Sequence, residues 1–248
     1  MLKTTGILIL LAALPLRADA LGDLNAALGR LRGGETTQVS FEYQFWREIK
    51  EDGKPMVTQG VATARVEDGP QGLRMAWDRA TLNQAEAELA LEHRDPAKTA
   101  PITQILRNLT PLDVAEHMHG AEVLTRTLVG AKLLETRSEP YLGRPATLLK
   151  LQLEPVMHPN IRKSIKEVKA FASIWVGADG TPMAYKAEVN YRGSRFLISY
   201  HGTQKEEYHY QHKGGRLLVN WSQYEERTSG FGQSVATKKV YKLTPAPF

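Results

Sequence analysis

Val39-Ser40-Phe41-Glu42-Tyr43-Gln44-Phe45 decides the fold. Val39, Phe41, Tyr43 and Phe45 alternate with polar residues. A period of two belongs to a strand with one face buried and the other wet. Asp52-Gly53 follows as a hairpin signal. It predicts a second strand over about 56–66, and Leu73 to Trp77 reads as a third.

The pattern then changes. Leu82, Ala85, Leu89 and Ala90 have helical spacing, so Thr81 to Arg94 reads as a helix. A second is expected over 101–109. A third is expected over 111–119, with Thr110 as N-cap and Pro111 at the first helical position. Strands return over 131–138, 147–153, 170–176, 184–191, 195–202, 206–212, 217–225 and 235–243, joined by turns such as Asp179-Gly180 and Gly214-Gly215. The reading is mainly β (α+β): a curved antiparallel sheet or incomplete barrel, covered by a few helices inserted after the third strand. No linker or composition shift divides it, so residues 21–248 read as a single domain.

The first twenty residues have the layout of a secretory signal peptide. Lys3 precedes an apolar run from Gly6 to Leu16, and Ala18-Asp19-Ala20 is a small-x-small cleavage site. The chain has no cysteine, which suits a soluble protein of a Gram-negative periplasm. Its formal charge of +5 is a mild basic excess that fits contact with anionic surfaces. No nucleic-acid partner is expected.

Side chains with catalytic or metal-binding potential do not converge. His117 and His119 are two apart on the expected helix and point in different directions. His209 and His212 are three apart on an expected strand and lie on opposite faces. No metal site and no cofactor are expected. The chain has no Gly-x-Ser-x-Gly, no Ser-x-x-Lys and no glycine-rich phosphate loop. The reading is therefore not an enzyme. Two features stand above this background. Arg162, Lys163, Lys166 and Lys169 surround Ile161, Ile165 and Val168, a basic amphipathic turn, if helical, for headgroup or membrane-surface contact. Phe171 and Trp175 share one face of a strand whose other face carries Ile174 and Val176. A sheet holding an apolar ligand and an ordinary core both account for that bulk.

The leader, one N-terminal helix, the Phe-rich first strand, Gly60-Val61-Ala62-Thr63-Ala64-Arg65 and Leu73-Arg74-Met75-Ala76-Trp77 together resemble the periplasmic lipoprotein carrier superfamily (LolA/LolB-like, including RseB-type regulators). The resemblance covers residues 21–77 in motif and the rest in element order. The family's basic-Pro pair after the second strand is absent, because Arg65 is followed by Val66. The resemblance implies a half-barrel whose cavity carries a lipid or acylated chain, with a role in lipoprotein or lipid trafficking. Phe41, Tyr43, Phe45, Val61 and Trp77 would line it, with Arg65 at the rim. The alternative is an envelope regulatory or assembly module that binds another protein through strand edges. N-terminal sequencing of exported material should begin near Leu21; retention of Met1 would contradict the leader.

Overall fold

The computed structural model describes residues 20–95, 98–155, 162–195, 198–230 and 232–246. The expected leader, Ala20 apart, lies outside them. Ala20–Arg30 is helix α1. β1 (Thr37–Glu51) and β2 (Lys54–Gly69) form the expected hairpin. Asp52 and Gly53 both take positive φ, 49° and 77°, as a type I′ turn requires. β3 (Gly72–Trp77) pairs with β2. Four helices follow: α2 (Arg79–Arg94), α3 (Pro101–Asn108), α4 (Pro111–Met118) and α5 (Gly120–Thr127). Seven strands follow among the described residues: β4 (Lys132–Ser138), β5 (Thr147–Gln152), β6 (Ile165–Val176), β7 (Pro182–Arg195), β8 (Ile198–Lys213), β9 (Arg216–Gly230) and β10 (Gln233–Pro245).

Among the described residues all ten strands form one antiparallel sheet in the order β3-β2-β1-β10-β9-β8-β7-β6-β5-β4. The expected class and the helical insertion are therefore what forms. The sheet stays open and uncurled, with β3 and β4 as its edges. Of the expected strand 195–202, Arg195 ends β7, residues 196 and 197 lie outside the described residues, and 198–202 do not stand apart from the expected strand 206–212. Thr203, Gln204 and Lys205 pair with Asn190, Val189 and Glu188 and make β8 continuous from Ile198.

α4 starts as its sequence dictates. The Thr110 hydroxyl accepts from the Asp113 N–H at 3.3 Å, and the Asp113 carboxylate accepts from the Thr110 N–H at 2.7 Å. α5 was not foreseen. It begins at Gly120, where a Cβ would come within 3.0 Å of the Leu217 carbonyl. A side chain there would press on the Leu217 carbonyl and Val219, and glycine avoids that pressure.

The topology assigns the helices their task. β3 and β4 lie at opposite edges, nine strand spacings or about 43 Å apart. The chain between them must cross one face, here called the inner face. α4 packs on β3 and β9, α5 on β9 and on α1, and α3 on β2. Two apolar clusters result. One joins Leu24, Leu28 and Leu124 to Leu149, Leu151, Ile174 and Tyr185. The other joins Phe41, Tyr43 and Val66 to Ile102, Ile105, Val114 and Met118.

A buried ion pair ties the sheet where β10 runs out. Asp68 of β2 and Arg216 of β9 are each 3% exposed and in contact. Arg216 Nε also donates to the Gly33 carbonyl at 2.9 Å, and His119 Nε2 lies 3.1 Å from Asp68. Removing one member of such a pair leaves a buried charge unmatched. Arg216→Met should therefore cost about 3 kcal/mol or more in urea unfolding. Adding Asp68→Asn should recover part of that loss. A loss in the single variant below about 1 kcal/mol, the scale of an exposed pair, would contradict the account.

Candidate functional site

The expected lining residues come together only in part. Phe41 (0% exposed) and Tyr43 (3%) are sealed in the core against α3 and α4, with Phe45 and Trp77 packed around them. The register places Ala64 opposite Phe41 and Ala62 opposite Tyr43. Successive strand residues point to opposite faces, so Val61 and Arg65 lie on the outer face. Val61 is 53% exposed there. The shared lining is corrected accordingly: four of the six residues sit on one face and two on the other.

The basic stretch is also corrected. Lys166 and Lys169 belong to strand β6 and are exposed, and Arg162 and Lys163 are exposed before it. Arg162 is helical and Lys163 and Ser164 form a turn, but from Ile165 the chain pairs with β7, with a register shift between Ile165 and Glu167, so Lys166 and Lys169 stand on a strand. Lys169 and Arg192 both bind Glu167, at 2.8 and 2.5 Å. Ile161 lies outside the described residues.

A polar seam runs beneath α4, between the apolar clusters. His117 Nδ1 is 2.8 Å from the Asp113 carbonyl, and Nε2 is 2.7 Å from Ser222 Oγ. The carbonyl can only accept, so Nδ1 carries the proton and Nε2 accepts from the serine hydroxyl. That proton arrangement resembles an activated serine. Yet His117 is 7% exposed and Ser222 1%, and the rings of Phe41 and Tyr241 stand 5.3 and 4.6 Å from the imidazole. Nothing outside reaches the hydroxyl, and the pair holds α4 on β9. Among the described residues no group of three metal-ligating side chains is gathered.

Both faces of the sheet beyond the helices are open, and they differ in character. The outer face is laced with ion pairs across strands: Glu42–Lys242 (2.9 Å), Glu135–Lys150 (2.8 Å), Glu207–Lys186 (3.1 Å) and Glu225–Lys238 (3.5 Å). One corner of it is aromatic. Tyr141 lies 5.2 Å from Trp175 and 6.0 Å from His209, whose register partner is Ala184 between them. The ring covers that alanine, so the apolar bulk on both faces of β6 has separate causes.

The inner face is covered only in part. α3, α4 and α5 have eight residues each, about 12 Å of helix. β1, β8 and β9 have 15 or 16, about 50 Å of strand. The chief helix contacts fall on β2 near Gly60 and on β9 near Leu217 and Val219. Past them the inner face continues as the register row Ile49–Val235–Thr228–Gly202–Tyr191–Val168. All but Gly202 are half-buried. The Tyr191 ring lies over Gly202, where a Cβ would collide with it, and its hydroxyl meets Thr228 Oγ1 at 3.0 Å. Met56 of β2, paired with Ile49, is 58% exposed at the end of the row. Sequence reasoning missed this row. Its signal was the alternation persisting through Ile49 and Val235 in strands far longer than the helices.

No protein-family model and no curated protein matches the chain. Among solved structures it is similar to the crystal structure of MucB in complex with MucA(peri), at 12% identity over 91% of this chain and 93% of that one, with a TM-score of 0.23. Among the described residues no helix is long and apolar enough to cross a membrane.

Burial pushes the His117 imidazole down to about 4 and keeps it neutral. The unfolded chain takes up that proton near pH 6.5. Stability tied to His117 should therefore fall as pH drops from about 6.5 to about 4, by about 3 kcal/mol, and level off below. Burial raises the Glu206 carboxyl, which acts in the opposite sense over part of that range. The check is the difference between wild type and His117→Gln in urea unfolding from pH 7 to 4. An equal acid-induced loss in both would assign it to another group.

Proposed function

We propose that this chain is a non-enzymatic binding module, exported to the periplasm, that takes a partner polypeptide on the open row of its inner face. The row Ile49–Val235–Tyr191–Val168 carries the reading. Its side chains point the same way as the core, are apolar save for Thr228 and the Tyr191 hydroxyl, and meet none of the chief helix contacts. Side-chain alternation holds through the row itself, the register shifts at Ile165/Glu167 and His209/Tyr210 lying outside it. An apolar face kept without a cover is the mark of an interaction surface.

Carriage of a lipid or acylated chain, as in lipoprotein trafficking, is the competing use of the same row. The packing of Phe41 and Tyr43 among core residues speaks against an acyl chain seated on them. The polypeptide reading is preferred because the row is interrupted by polar groups, Thr228 and the Tyr191 hydroxyl, that suit backbone and side-chain partners. The edges β3 and β4 contribute less. β4 carries Lys132, Glu135 and Arg137 and a register shift between Leu133 and Glu135, features that block casual strand addition.

A photo-crosslinking amino acid at position 235 in cells should give a discrete protein adduct. The same group at position 203, on the outer face, should not. A lipid adduct at 235 would transfer the reading to acyl carriage, and no adduct at 235 would refute both.

A further inference from the structure

The carboxylates of the two faces are treated differently. On the outer face Glu42, Glu135, Glu167, Glu207 and Glu225 each hold a lysine or arginine. On the inner face Glu206 and Glu226 do not. Glu206 accepts from the Tyr208 hydroxyl at 3.2 Å, and Glu226 accepts from Gln204 Nε2 at 3.2 Å and the Tyr191 hydroxyl at 3.4 Å. Among the described residues no cation stands within ion-pair distance of either. Lys239, two strands from Glu206 in the register, lies over the Tyr224 ring instead, 5.6 Å from its centroid. Glu116 of α4 adds a third negative charge felt by Glu206, with Arg126 acting on Glu116 in the opposite sense. Burial, and to a lesser degree the Glu116 charge, raise the Glu206 carboxyl above its ordinary range. Leaving half-buried carboxylates without a cation costs stability that a lysine at either neighbouring position would have recovered.

These acids border the open row. Glu226 lies one step along β9 from Thr228, and Glu206 one step further toward the helices on β8. The row spans six strands, about 24 Å, the length of a helix of about 16 residues. Along the flanking rows Arg47 of β1 and Lys239 of β10 are followed by Glu226 of β9 and Glu206 of β8, so the apolar strip is bordered by anions at its β8–β9 part. We infer that the partner segment is a cationic amphipathic helix, its apolar side on Ile49, Val235, Tyr191 and Val168 and its lysines or arginines on Glu206, Glu226 and Glu116. This rests on the polypeptide reading above and adds the chemistry of the partner. The outer face, with its charges already matched, offers such a helix neither feature.

The test uses the whole mature chain and two synthetic 18-residue amphipathic peptides with the same leucine face, one carrying lysine on its polar face and the other glutamate. Fluorescence anisotropy should show binding of the lysine peptide alone, weakened by salt. Glu206→Gln and Glu226→Gln keep shape and hydrogen-bonding capacity, and each should weaken binding on the order of tenfold. Glu225→Gln on the outer face should change nothing. Equal binding of both peptides, abolished by Val235→Lys, would overturn the cationic assignment and leave the polypeptide reading intact. Binding of neither peptide, or lysine-peptide binding insensitive to Glu206→Gln, Glu226→Gln and Val235→Lys alike, would overturn the inference.

Discussion

The pairing of β1 with β10 is the constraint on which the rest depends. It joins the N-terminal three-strand unit to the C-terminal seven strands from Val39–Pro245 to Glu51–Gln233. Without it there would be two small sheets. With it the edges β3 and β4 are driven to opposite sides, and the chain between them must cross the whole inner face. β10 stops where β1 still continues, since Pro245 lacks a donor and pairs with Val39 at the strand's end. The gap between β2 and the start of β9 is then filled by the segment after α1. The Gly33 N–H donates to the Gly215 carbonyl at 2.9 Å, and the Asp68–Arg216 pair closes above it. His119, at the α4–α5 break, adds its imidazole to Asp68. One gap in the ladder thus fixes the position of the helices.

The helices then cover what their length allows. They bury two apolar clusters at the end of the sheet near the Asp68–Arg216 pair. The long strands carry the same alternation onward without them. Glycine and tyrosine pack reciprocally in this extension: the Tyr191 ring occupies the space above Gly202, and the Tyr200 ring that above Gly193. Such aromatic cover of strand glycines fixes register where no helix does. The same extension carries the carboxylates left without cations. Architecture and electrostatics point to one part of the molecule.

Much of the fold was legible because period and turn chemistry are local. The hairpin at Asp52-Gly53, the cap at Thr110-Pro111 and the antiparallel strands all follow from residues near one another. The fusion of 198–202 with 206–212 was not legible, since Thr203 to Lys205 become strand through partners in β7. α5 depends on the approach of Gly120 to β9, a contact nearly a hundred residues away in sequence. The candidate site was legible only in half. The inward direction of Phe41, Tyr43 and Phe45 follows from alternation. Whether an inward residue is core or open surface depends on how far the helices reach. Val61 was misplaced for a simpler reason, as an apolar residue of the wrong parity beside Ala62 and Ala64.

The cysteine-free chain allows the central claim to be measured directly. Single cysteines at Val235, on the open row, and at Ala172, 5% exposed under the helices, can be compared for maleimide labelling under native conditions. The account predicts fast labelling at 235 and labelling at 172 slowed by the opening of the core. The 18-residue lysine peptide should protect position 235 and leave a cysteine at Thr203 on the outer face unprotected. Equal protection of 235 and 172 without peptide would mean that the row is covered by the chain itself, and would contradict the account.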